Sequence, residues 1–124
     1  MPDKSFPKPP PGTRAPGRRL WASVVADFEL DTYELALLAQ ATRTVDTLNT
    51  LDAIVRREGE MVESTTGSVK VHPALVEARQ SRIALARLLA ALRLPDGEDG
   101  AGTTGRRQRR VGARGVYGIR GAVS

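Results

Sequence analysis

Between Gly59 and Leu75 the chain reads GEMVESTTGSVKVHPAL, and these seventeen residues constrain the fold more than any other stretch. A glycine stop, a short alternating run, a Thr-Gly turn, a second alternating run and a His-Pro restart follow in order. Alternation around a glycine that can take positive φ reads as a small β-hairpin, with strands over residues 60–65 and 69–71. Long helical patterns flank it on both sides. An isolated two-stranded hairpin is marginal in water, so it needs a neighbour, either the following helix or a second copy's hairpin.

The helix before the hairpin begins with Asp31-Thr32-Tyr33-Glu34, the pattern of a capping box, and continues without Pro or Gly to about Glu58. Gly59 is its expected C-terminal stop. Its length is roughly 40 Å at 1.5 Å per residue, long for a chain of 124 residues. Leu38, Ala41, Val45, Leu48 and Val55 form one stripe, widened by Leu37, Leu51 and Ile54. After the hairpin, Pro73 suits the first position of another helix, which the pattern carries to about Leu94, ahead of Pro95. From Ile83 to Leu92 (IALARLLAAL) its only polar residue is Arg87. A helix apolar all round is buried all round, and one short chain can hardly cover it. Self-association through Leu38, Val45, Leu48, Val55, Ile83, Leu85, Leu89 and Leu92 is therefore expected. A shorter helix, over residues 17–28, places Leu20, Trp21, Val24, Val25 and Phe28 on one face. Arg18, Arg19, Ser23 and Asp27 lie on the other.

Charge divides the chain into three parts. Residues 1–19 hold five basic residues and one acidic; residues 20–95 hold eight and ten; residues 96–124 hold six and three, within a total of +5. The basicity thus lies in flanking tails around a slightly acidic body. Residues 1–16 contain six prolines and little to bury, so a disordered basic arm is expected. Residues 17–95 form the helical oligomerisation core. Residues 96–124 begin as a Gly-rich flexible linker, continue through RRQRR and end VGARGVYGIRGAVS. Val116, Tyr117 and Ile119 among those glycines have the look of a docking peptide.

Basic arms on a near-neutral body suit a polyanion such as double-stranded DNA. The candidates are Lys4, Lys8, Arg14, Arg18 and Arg19 in the first arm, and Arg106, Arg107, Arg109 and Arg110 in the second. One copy would neutralise few phosphates, whereas a multimer would bind with strong salt dependence. Base-specific readout is not indicated, because no polar recognition helix follows a tight turn.

Other chemistries find little footing. There is no cysteine, hence no disulfide or thiolate metal site. Nothing approaches the roughly 18 apolar residues of a membrane span, and no signal-peptide pattern opens the chain; a cytosolic setting is expected. Residues 100–105 match G-x-G-x-x-G formally, but an acidic linker precedes them and a basic run follows, where a nucleotide site requires a strand and a helix. His72, the single histidine, has no ligand-spaced partner and reads as the entry to the last helix. Asp27, Glu29, Asp31 and Glu34 resemble a two-metal cluster only until the capping role of the last two is counted. Trp21 sits on an apolar face and reads as core, not as a base-stacking platform. No catalytic residue, metal or cofactor is expected, and an enzyme is the least favoured reading.

Taken in order, Leu20-Trp21, Asp31-x-x-Glu34-Leu35, the Gly59 stop, the Thr65–Gly67 turn, His72-Pro73-Ala74-Leu75 and the Leu/Ala-rich helix resemble the small terminase subunits of tailed double-stranded DNA phages. The likeness covers residues 18–95, and the ending RRVGARGVYGIRG is similar to tails of actinobacterial-phage members. The resemblance implies a homo-oligomeric ring that recognises viral DNA in the host cytoplasm. It also implies recruitment and regulation of a large subunit that supplies the ATPase and nuclease. Many members carry a separate helix-turn-helix domain that is not seen here, so the DNA-binding candidates rest on charge alone. The fold expected is mainly α: short helix, long helix, β-hairpin, long helix, with disordered basic tails. The competing reading is a small basic dimeric DNA-binding regulator or chromatin-like protein.

Overall fold

The structure, a computed structural model, describes residues 6–95 and the backbone of residues 108–109. It is mainly helical with one small antiparallel hairpin: α1 (Ala15–Asp27), β1 (Phe28–Glu29), α2 (Thr32–Glu58), β2 (Met61–Glu63), β3 (Val69–Val71), α3 (Pro73–Leu92) and β4 (Gln108–Arg109). Helices α2 and α3 run antiparallel as a long pair, with the β2–β3 hairpin at the tip where they join. Helix α1 packs near the opposite end, against the start of α2 and the end of α3.

The capping box forms as expected. The Glu34 N–H donates to Asp31 Oδ1 at 2.8 Å, and the Asp31 N–H donates to Glu34 Oε1 at 3.0 Å. At the far end Gly59 takes φ 92° and its N–H donates to the Val55 carbonyl at 2.7 Å. Arg56 and Arg57 occupy the last turn, where positive charge complements the helix dipole. The hairpin pairs Met61 with Val71, Val62 with Lys70 and Glu63 with Val69. Ser64 and Ser68 close a three-residue loop that ends in Gly67 at φ 93°, a value β-branched or bulky residues avoid.

Four boundaries differ from expectation for identifiable reasons. The first hairpin strand, expected over 60–65, is only Met61–Glu63, because Ser64 already closes the loop through its N–H bond to the Ser68 carbonyl. Helix α1 starts at Ala15, two residues early, because Pro16 fits the first turn, where its missing N–H costs nothing. It ends at Asp27, with Phe28 extended as part of β1. Helix α3 stops at Leu92, not Leu94: the residue before Pro95 is driven away from α geometry, and Arg93 turns left-handed at φ 55°.

The Pro-rich arm, expected to be disordered through residue 16, lies against the helices from Pro7 onward. Trp21 Nε1 donates to the Pro7 carbonyl at 2.8 Å, and Thr13 donates through N–H and Oγ1 to the Pro10 carbonyl at 3.2 and 2.6 Å. Prolines with φ already fixed lose little freedom on docking, and their carbonyls remain as acceptors.

The core gathers where α1 meets the α2–α3 pair. Trp21, Val24, Val25, Phe28, Leu38 and Leu92 are buried there, flanked by Leu20, Leu30, Leu35, Leu37, Leu89 and Leu94. The α1 face read from the sequence is the one that packs. Toward the hairpin only two helices remain, and among the described residues no third element covers them. Val45, Leu48, Leu51, Ile54 and Val55 of α2 are half-buried, as are Leu85 and Leu88 of α3. No helix among the described residues is long and apolar enough to cross a membrane.

Candidate nucleic-acid interface and self-association surface

The folded body brings part of the first basic arm to α2. Asp46, only 6% exposed, reaches from the middle of α2 to the N-terminus of α1. Its Oδ2 accepts the Arg14 N–H at 2.6 Å and its Oδ1 the Gly17 N–H at 2.7 Å. Arg14, at the N-cap position, provides no side-chain cap, so a carboxylate from another helix does that work. The close approach requires glycine at 17. A Cβ there would lie 2.8 Å from Thr13 Cγ2, 2.8 Å from the Thr42 carbonyl oxygen and 2.9 Å from Asp46 Oδ2. Neither Asp46 nor Gly17 was marked by sequence reasoning, since the contact joins residues about thirty apart.

Arg14 Nη2 donates to the Asp46 carbonyl at 3.1 Å, and Arg18 Nη1 donates to the Thr13 carbonyl at 2.8 Å. Both guanidinium groups are thus held by neutral acceptors, and neither forms an ion pair among the described residues. Lys8 and Arg19 are exposed. Arg109 has backbone in β4, whose parallel pairing sets Gln108 beside Phe28 and Arg109 beside Glu29. Lys4, Arg106, Arg107, Arg110, Val116, Tyr117 and Ile119 lie outside the described residues, as does the 100–105 glycine pattern.

The chain matches no family model, no curated protein and no solved structure among those compared.

The expected self-association set divides in two. Leu38 and Leu92 are fully buried inside one chain, 0% and 1% exposed, so they belong to the core and have no surface to offer a second copy. Their stripe was read correctly as apolar, but α1 covers that end of it. Val45, Leu48, Val55, Leu85 and Leu89 remain half-buried, and Ile83 is 47% exposed. Six further large apolar side chains outside that set stand open: Phe6 and Tyr33 near α1, and Met61, Val69, Val71 and Val76 on the hairpin and the start of α3. In the hairpin register, Met61, Val69 and Val71 fall on one face. Their signal was the alternation itself, Met61-x-Glu63 opposite Val69-x-Val71.

His72 does position the entry to α3. Its Nδ1 accepts the Ala74 N–H at 2.9 Å, so Nε2 carries the ring proton and donates to Glu58 Oε1 at 2.7 Å. The His72 N–H also donates to the Glu60 carbonyl at 2.8 Å. One imidazole thereby ties the end of α2, the hairpin and the start of α3 together. The bond from His72, then that from Arg57, holds the Glu58 carboxyl below the usual carboxylate range. Trp21, 5% exposed, has no face left to stack on a base. Asp31 and Glu34 are capping partners, and among the described residues no three metal-ligating side chains gather.

Proposed function

We propose that this chain is a small terminase subunit, a non-enzymatic homo-oligomer that binds double-stranded DNA and recruits the large ATPase-nuclease subunit of a phage packaging motor. The observation that carries the reading is the unfinished half of the molecule. Two helices and a hairpin leave apolar side chains at Met61, Val69, Val71, Val76 and Ile83 facing solvent, a pattern typical of surfaces that meet a partner. A ring covers such a face by repeating one contact around an axis, and places each copy's basic groups around a common path. The order of motifs from Leu20 to Leu75 supports the family assignment, and the basic arms support a polyanionic partner.

Native mass spectrometry of the full chain tests the assembly, with many copies expected. Two copies would favour the dimeric regulator instead, and a monomer at micromolar concentration would remove both. Removing residues 106–124 should weaken binding to the large subunit while leaving the copy number unchanged. Loss of the oligomer on that truncation would make the tail structural. Nuclease or ATPase activity in the purified chain would overturn the non-enzymatic assignment.

A further inference from the structure

The arginines of the folded body fall into two groups. Near the hairpin end, Arg82 holds Asp52 through two oxygens at 2.9 and 3.0 Å, and Arg57 pairs with Glu58 at 3.1 Å. Arg56 and Arg79, also on the hairpin half, have no carboxylate partner among the described residues. Arg14 and Arg18 rest on backbone carbonyls, and Arg43 and Arg87 are exposed with no carboxylate partner among the described residues.

Arg43 stands between two shallow, open depressions. One is walled by the Pro11–Arg14 loop, Asp46 and Thr47, the other by Thr44, Thr47, Gln80, Ser81 and Ala84. Both share Arg43 and Thr47, so they adjoin across α2 and α3, the first lined mainly by polar surface and the second mainly by apolar surface. Asp46 lies within one turn of Arg43 and keeps its negative charge, but it is only 6% exposed and its two oxygens point at the Arg14 and Gly17 N–H groups. Arg87 follows Ala84 by three residues on α3, which keeps it on the same side. The Thr44 hydroxyl already donates to the Gln40 carbonyl at 2.8 Å. Thr47, Ser81 and Gln80 remain as the neutral donors of the groove.

We propose that this groove is a track for the phosphodiester backbone of double-stranded DNA, with Arg43 as its central contact and Arg14 and Arg87 on either side. Guanidinium groups and short hydroxyl or amide donors are the chemistry that holds phosphate oxygens without reading bases. The inference rests on the DNA-binding reading and moves part of the contact from the tails to the folded body.

The test uses the full chain and a labelled duplex of arbitrary sequence, with anisotropy titrations over a range of salt concentrations. Each phosphate contact contributes roughly 0.9 to the slope of log K against log salt. Arg43→Gln should lower the slope by about one and weaken binding by about tenfold at 0.1 M salt, and Arg43→Gln with Arg87→Gln by about two in slope. Arg43→Lys should keep the slope. Arg82→Gln removes the same formal charge from an ion-paired site and should leave the slope unchanged; an equal loss there would mean diffuse net charge and would overturn the groove. Binding by the wild type with an unaltered slope in the double variant would also overturn it, leaving the tails as the DNA contact. Absence of duplex binding by the wild type would sink the groove and the DNA-binding reading together. Thermal melts by circular dichroism check that each exposed substitution leaves the fold intact.

Discussion

Asp46 and Gly17 work as a pair, and each can be removed separately. Asp46→Ala leaves two N–H groups at the start of α1 without acceptors, one of them buried. Each such group costs about 1–3 kcal/mol, so a loss of about 2–4 kcal/mol in urea denaturation is expected, with Asp46→Asn intermediate because an amide oxygen can replace only one acceptor. Gly17→Ala should cost about 1–3 kcal/mol by overpacking, since two of its three nearest neighbours are backbone or a fixed carboxylate. A change below about 0.5 kcal/mol for both would mean that α1 docks by its apolar face alone. The contrast with Asp31 explains what a sequence discloses at this scale. Asp31 and Glu34 are three residues apart, and their pattern is visible because the partners are local. Asp46 caps a helix whose first residue is 31 positions earlier, and no local pattern marks it.

Helices α2 and α3 and the hairpin between them were legible because each carries its own punctuation: Asp31, Gly59, Gly67 and Pro73 all mark turns or ends that the structure contains. The β1–β4 pairing was not legible, since two-residue strands leave no periodicity and their register joins positions about eighty apart. The docked Pro-rich segment was missed for a different reason. Composition argues against burial, yet it is the proline carbonyls that bind. At the joint between these elements, His72→Ala should cost about 1–2 kcal/mol through loss of the α3 cap. His72→Asn should recover most of that, as asparagine caps well, but not the tie to Glu58. Because the folded Glu58 carboxyl titrates below its ordinary value near 4.5, its contribution is present above that value and is lost as pH falls through the lower, folded one. Protection factors of the hairpin amides, taken against the intrinsic exchange rate at each pH, should therefore fall on acidification below about pH 4.5 in the wild type. The fall should be smaller in Glu58→Gln; an identical acid response in that variant would place the sensitivity elsewhere.

At the scale of the whole molecule, the deciding question is whether the bare apolar face is an interface or an ordinary exposed surface. Ile83 separates the two. In one chain it is half exposed, so changing it to Lys removes few internal contacts and should leave the monomer's stability within about 0.5 kcal/mol. In an assembly the same ammonium would enter an apolar contact without a counter-charge, a cost of several kcal/mol per ion. Repeated around a closed ring, that penalty falls on every contact. Ile83→Lys should then shift sedimentation from the assembled species to single chains at concentrations where the wild type remains assembled, while far-ultraviolet dichroism stays unchanged. Leu38→Lys is the informative contrast. Leu38 is core, so that change should unfold the chain itself and lose helix signal, with no folded monomer left behind. If Ile83→Lys instead sediments with the wild type, the assembly uses another surface. The exposed hairpin face of Met61, Val69 and Val71 would then be the next to charge.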